Sequence, residues 1–349
     1  MPPSASSNPV QRALQALLDG KTLPEGDAER CMRTIMEGVA TPTQIGALLV
    51  LLRQRGETVQ EVVGFARVMR DKAMRVRAPE GRVVLDTCGT GGDGTGTFNI
   101  STLAAIVAAA GGVAVAKHGN RSVSSRVGSA DLLEALGVRL ELTPAAVSDA
   151  LRETNFGFLF APRHHGAMKH AAGPRRELGV RTVFNVLGPL TNPAGATHQL
   201  LGVFDAAWVP KLAEVLRELG CERALVVHGE DGLDEVSPTG PTSVVELRGG
   251  KLDAQRWQPE DAGVQRCSLA DLQGGDLDEN LAIARRVLDG EPGPARDAVT
   301  LNAGAALYVA GVADDLWKGV QDARLLLESG QARAKLNEIV RYTQRMAAD

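Results

Sequence analysis

The stretch Leu85-Asp86-Thr87-Cys88-Gly89-Thr90-Gly91-Gly92-Asp93, continued to Ser129, decides how the chain folds. The apolar run Val83-Val84-Leu85 reads as a buried strand closed by Asp86. A loop carrying Gly89, Gly91, Gly92, Gly94 and Gly96 follows, and Asn99-Ile100-Ser101-Thr102 then opens an apolar helical segment, Leu103 to Ala110. Strand, glycine loop and helix start make an α/β unit, and its loop favours anions. Glycines let backbone N–H groups turn inward and approach a ligand closely. The first turn of a helix adds unpaired N–H groups and a positive dipole end. Thr97, Ser101 and Thr102 place hydroxyls there as well.

Val113-Ala114-Val115-Ala116 reads as a second strand, running into Lys117-His118-Gly119-Asn120-Arg121-Ser122-Val123-Ser124-Ser125. That loop holds two cations and three serines, and Ser129 begins a helix whose tip faces it. Two such strand ends imply a ligand with more than one phosphate. The spacing is neither the Walker pattern nor the dinucleotide fingerprint. The competing reading is a flexible turn beside a solvated basic loop.

Composition excludes several classes. At 349 residues the chain can bury one large core, or a large and a small one. A net charge of −4 and 3% aromatics argue against a general nucleic-acid binder. Cys31, Cys88, Cys221 and Cys267 are scattered without metal spacing and read as reduced cytosolic thiols. Met1 to Asn8 has no apolar signal core, and no apolar run reaches membrane-spanning length.

Ahead of the glycine loop, four helices are expected, starting at Asn8-Pro9, Glu25, Thr41-Pro42 and Thr58. Each has an apolar face; Ile45, Leu48, Leu49 and Leu52 form the broadest, wide enough for bundle core or a partner chain. Arg75 to Arg82 is a polar link. After the second loop, Thr143-Pro144 starts a helix and Phe158-Leu159-Phe160 reads as a short strand. Ala161 to Glu177 then reads as a polar, cationic loop at a strand end. It contains His165, Lys169, Arg175 and Arg176, and a solvated basic face is the plain alternative. Further strands are expected at Leu200–Phe204, Ala224–His228 and Thr242–Leu247, with Arg248–Gln265 a hairpin or loop excursion. Amphipathic helices close the chain. Gly229-Glu230-Asp231-Gly232-Leu233-Asp234-Glu235 gathers carboxylates that repel one another without a counter-ion. Such loops are often only solvated, yet magnesium takes hard oxygen ligands between carboxylates and phosphates.

These segments together resemble the anthranilate phosphoribosyltransferase family. The match runs through Asp86 to Asp93, Thr97 to Thr102, Lys117 to Ser125, His165-Gly166-Ala167-Met168-Lys169 and Asp234-Glu235, and spans about Leu17 to Glu338. Gly166 stands where the family usually has proline. The resemblance implies a small helical domain, residues 1–78 with a returning segment at about 176–195. It implies an α/β domain, 79–175 and 196–349, around a mixed, mainly parallel sheet. Phosphoribosyl pyrophosphate would be held by Gly89, Gly92, Asp93, Thr97, Asn99, Ile100, Ser101, Thr102, Lys117, His118, Gly119, Asn120, Arg121, Ser122, Val123, Ser124, Ser125 and Ser129. Anthranilate would meet Gly89, His118, Asn120, His165 and Arg175, with Arg176 a rival for its carboxylate. Ser101, Asp234 and Glu235 would hold magnesium, two ions per site. The resemblance also implies a cytoplasmic homodimer joined through the helical domain, with no acid or base residue assigned. A pyrimidine nucleoside phosphorylase and a non-catalytic nucleic-acid-binding relative are the alternatives.

Overall fold

The computed structural model describes residues 8–122 and 126–346. Four helices come first: α1 (Pro9–Leu18), α2 (Glu25–Met36), α3 (Pro42–Arg55) and α4 (Val59–Lys72). Asn8, Thr41 and Thr58 start α1, α3 and α4 with capping boxes, the side-chain oxygen accepting the N3 amide. Their apolar faces bury Cys31, Ile35, Ile45, Leu49, Leu52, Val62 and Phe65 in one core. The whole expected α3 stripe, Ile45, Leu48, Leu49 and Leu52, faces the same core as the other helices, so the stripe is bundle interior.

The α/β part begins with β1 (Val84–Asp86), α5 (Ile100–Ala110), β2 (Ala114–Gly119), α6 (Ser129–Ala135), α7 (Pro144–Thr154) and β3 (Phe156–Phe160). The chain then leaves the sheet through α8 (Ala161–His164), a 3-10 turn at Gly166–Met168, α9 (Lys169–Leu178) and α10 (Phe184–Leu187). It returns as β4 (His198–Gly202), α11 (Trp208–Glu218), β5 (Arg223–Gly229) and the hairpin β6 (Thr242–Arg248)–β7 (Lys251–Trp257). Helices α12 (Leu277–Leu288), α13 (Pro294–Val309), α14 (Leu316–Glu328) and α15 (Gln331–Arg345) complete it.

The stretch 161–177 corrects the sequence reading: it is largely helical, not a loop. The reason is burial, because α9 lies on α2 and α3 and sends Ala171 into the helical core. Val183, Phe184, Val186, Leu187 and Leu190 enter the same core.

The sheet has seven strands in the order β3-β2-β1-β4-β5-β6-β7. The first five are parallel; β6 and β7 run antiparallel at one edge. The chain builds outward from β1 through β2 to β3, then crosses to the other side of β1 with β4. That reversal is a topological switch point, which opens a crevice at the strand carboxyl ends. Alternation divides the core: Leu200, Leu225 and Val227 face α5 and α13, while Leu201, Ala224 and Val226 face α11 and the helical bundle. Small residues allow close helix packing on the first face. A Cβ on Gly319 of α14 would lie 2.3 Å from the Gly304 carbonyl of α13.

Candidate active site

The glycine loop leaves β1 at the switch point, and α5 begins at its far end. Gly91, Gly92, Gly94 and Gly96 have φ between +64° and +78°, conformations that L side chains rarely adopt. Gly89 is needed for a different reason: a Cβ there would sit 3.0 Å from the Gly202 carbonyl of β4 and 3.3 Å from Asp234 Oδ2. The outer half of the loop is tied to a distant strip. Phe98 N–H donates to the Leu272 carbonyl, Gly274 N–H to that of Gly96, and Thr97 forms a β-bridge with Gln273. Gln273 Nε2 adds a bond of 2.9 Å to the Thr95 carbonyl.

The acidic loop after β5 comes to the same place. Glu235 Oε1 accepts the Ser101 N–H of the first turn of α5 at 3.1 Å, and Asp93 Oδ2 lies 3.4 Å from the Asp234 amide. Asn302 of α13 pins this loop, accepting the Val236 N–H and donating to its carbonyl, each at 2.9 Å. Burial holds the carboxyls of Asp234 and Glu235 well above the ordinary range. Asp93 raises Asp234 further, and Asp234 raises Glu235. Carboxyl oxygens held this close to one another are the hard-oxygen donor type that divalent cations such as magnesium prefer. Lys117, 2% exposed, donates to the Thr87 carbonyl and hydroxyl at 3.2 Å and reaches Ser101 Oγ at 3.5 Å. Gly89, Gly92, Asp93, Ser101, Lys117, Asp234 and Glu235 are therefore brought together at the switch point, with Ile100 and Thr102 buried behind them as the opening of α5.

A second cluster adjoins it. The rings of His118 and His165 stand 5.1 Å apart. His118 Nδ1 is 3.1 Å from the Gly188 carbonyl; since a carbonyl only accepts, the proton is on Nδ1 and the Nε2 lone pair is bare. Burial pushes His118 down to about 3, helped by neighbouring His165, and His165 down to about 4. Both rings are neutral at physiological pH.

The remaining expected residues divide. Gly119 ends β2 under Ser129, whose Oγ bonds the Asn120 carbonyl at 3.3 Å. Ser122 N–H meets Asp131 at 3.1 Å. Asn99 donates to the Val127 carbonyl at 3.0 Å. Arg121 is engaged by Asp131 and Glu134 of α6, at 3.0 and 2.8 Å. Val123, Ser124 and Ser125 lie outside the described residues. The structure distinguishes the two arginines: Arg175 is half-buried with its guanidinium 5.0 Å above the Phe184 ring, and Arg176 is exposed. Sequence reasoning passed over Asp86, Asn192, Gln273 and Asn302 as site supports. Asp86 lay inside the quoted motif; the other three carry no local signal.

Residues 81–333 match the family described as glycosyl transferase family, α/β domain, and residues 11–73 its helical bundle domain. The chain is 55% identical over 334 residues to anthranilate phosphoribosyltransferase of Thioalkalivibrio sulfidiphilus, covering 96% of this chain and 98% of that one. It is 56% identical over 339 residues to that of Rubrobacter xylanophilus, covering 97% and 98%. Among solved structures, the Thermus thermophilus enzyme superposes with a TM-score of 0.90 at 52% identity, over 95% of this chain and 99% of that one. The Saccharomyces cerevisiae enzyme, in complex with PRPP and Mg, superposes with a TM-score of 0.88 at 28% identity, over 96% and 98%.

Proposed function

The chain belongs to the anthranilate phosphoribosyltransferases of the glycosyl transferase family, and we propose how its site carries out their reaction. The phosphoribosyl group of phosphoribosyl pyrophosphate passes to the anthranilate amine, giving N-(5-phosphoribosyl)anthranilate and pyrophosphate, a step of tryptophan biosynthesis. The nitrogen lone pair forms the bond to C1, the C1–oxygen bond breaks with its electrons staying on the departing pyrophosphate, and the nitrogen gives its proton to water. This reading is favoured over the phosphorylase and nucleic-acid alternatives by one feature. The acidic pair Asp234-Glu235 meets the first turn of α5 and the glycine loop at the switch point.

Charge develops on the leaving pyrophosphate, so preorganised donors there act on the transition state. The backbone N–H groups of the glycine loop and of α5, the Ser101 and Thr97 hydroxyls and Lys117 supply them. Gly89, Gly92, Asp93, Asn99, Gly119, Asn120 and Ser129 shape the cradle. Asp234, Glu235 and Ser101 fit magnesium, two ions per site, by their crowded oxygens and raised carboxyls. Magnesium, when bound, neutralises charge on the diphosphate. Neutral His118 and His165 wall the amine side, and the bare Nε2 of His118 is an acceptor for an amine N–H. An aryl amine needs no strong base, so orientation against C1 is the other large contribution. Arg175 holds the anthranilate carboxylate. The helical unit comprises residues 1–78 and a returning segment that starts with α9, ahead of the expected 176, and runs to about 195, with the rest forming the α/β unit. By analogy with the family it resembles, the protein acts as a cytoplasmic homodimer through the helical unit. Among the described residues no helix is long and apolar enough to cross a membrane.

The test is the loss of anthranilate fluorescence on adding phosphoribosyl pyrophosphate and magnesium to the protein. No change in fluorescence, with phosphate-dependent nucleoside cleavage instead, refutes the reading.

A further inference from the structure

Asp86 ends β1 fully buried, between the glycine loop and the returning chain. A buried carboxylate is costly unless donors meet it. Three stretches supply them. The Cys88 and His118 amides donate to Oδ1 at 3.0 and 3.2 Å, and Asn192 Nδ2 donates to Oδ2 at 2.7 Å. Lys117 is the charged neighbour; even with these partners, burial lifts the carboxyl to about 6. Asn192 is fully committed in turn. Its Nδ2 also donates to the Ala116 carbonyl of β2, and its Oδ1 accepts the Ala194 N–H, each at 2.8 Å. Asn192 arrives on the chain after α10. There the Gly188 carbonyl accepts the His118 Nδ1–H, and the His118 ring stands 5.1 Å from that of His165. One short segment thus holds His118 directly and is fastened to the sheet by an amide–carboxylate pair.

We propose that Asp86 and Asn192 are positioning residues for the amine acceptor. The pair seats residues 188–194 on β1 and β2, and through Gly188 it sets the His118 ring, and with it the neighbouring His165 ring, on the amine side. The inference rests on the phosphoribosyl-transfer reading. The diphosphate cradle is held by other ties, Ser101 to Glu235 and Asp93 to Asp234, and these do not pass through Asn192. Loosening Asn192 therefore disturbs anthranilate and spares phosphoribosyl pyrophosphate.

The experiment is steady-state kinetics of the magnesium-loaded enzyme with each substrate varied. Wild-type turnover tests the activity itself; the split between substrates in the variants tests the pair. Asn192→Ala removes a hydrogen bond to a charged group, a loss of about tenfold or more. It is expected to appear in the KM for anthranilate, while the KM for phosphoribosyl pyrophosphate stays within about threefold. Asn192→Ser, milder to the fold, shows the same split at smaller size. Asp86→Asn sets two amide donors face to face and lowers anthranilate use as well. Equal rises in both KM values with a lowered melting temperature would show plain destabilisation and overturn the proposal. So would unchanged anthranilate kinetics in folded Asn192→Ser.

Discussion

Arg175 and Arg176 differ in what surrounds them, and that difference has a kinetic signature. Arg175 is half-buried over Phe184, and burial lowers its basicity without discharging it. A grip on a non-reacting carboxylate binds ground state and transition state alike, so its loss raises KM more than it lowers kcat. Arg175→Ala is expected to raise the KM for anthranilate about ten- to a hundred-fold, from a charge-assisted bond worth roughly 1.5–3 kcal/mol. Arg176→Ala changes it little, and reversed effects would move the role by one residue. Gly92 teaches a different lesson. Its sequence context suggests that a side chain would crowd the backbone, yet a Cβ there meets nothing within 4 Å, and φ is +76°. The constraint is conformational, so Gly92→Ala should cost about 1–2 kcal/mol of stability as well as weakening phosphoribosyl pyrophosphate binding. Calorimetric titration and a melting curve measure the two effects. A melting temperature equal to wild type would contradict the strained φ.

The acidic loop depends on the element behind it. Asn302 of α13 satisfies both backbone groups of Val236, directly after Glu235. Asn302→Ala orphans a buried N–H and C=O, each costing about 1–3 kcal/mol, and should raise the magnesium concentration needed for half-maximal rate. An unchanged magnesium requirement would separate α13 from the metal loop. Asp234→Ala with Glu235→Ala should leave a folded protein without magnesium-dependent turnover. The carboxyls of this loop are raised above their unfolded values. Their contribution to stability is full below about pH 4 and is lost as pH rises through the raised values. Magnesium needs the ionised forms, so its binding releases protons near neutrality and tightens as pH rises. Calorimetry in two buffers of different ionisation enthalpy reads that release, and none is expected from the double variant.

For the molecule as a whole, the neutral histidines and the raised carboxyls pull stability in opposite directions with pH. His118 and His165 are depressed to about 3 and about 4, so the unfolded chain takes up protons first. Their contribution is present above about pH 6.5 and is lost as pH falls toward those values. In His118→Gln the melting temperature should fall less between pH 7 and pH 5 than in wild type. An identical fall in both would remove His118 from the balance. Light scattering should give twice the mass of the chain; a monomer at micromolar concentration would refute the homodimer.

Local pattern carried much of this protein. The capped starts of α1, α3 and α4, the strand–glycine loop–helix order around β1 and α5, and the cationic end of β2 are all properties of neighbouring residues. Backbone propensity, side-chain periodicity and the need for positive φ act over a few positions, so they are legible before any fold is known. What only the tertiary structure decided lies between positions far apart in the chain. Asp86 meets Asn192 106 residues away, Ser101 meets Glu235 134 residues away, and Gln273 clamps Thr95 across 178. The Ser101–Glu235 pair exists because the sheet reverses its order at β1 and gathers the loops after β1 and β5 in one crevice; the other two exist because segments far along the chain pack onto the end of β1 and its loop. A hydrogen bond is specific in distance and direction, and nothing in the local sequence encodes which distant donor the topology will deliver. The helical state of α9 was hidden for the same reason, since its burial is against α2 and α3. Composition marks that run as polar; the partner surface makes it helix.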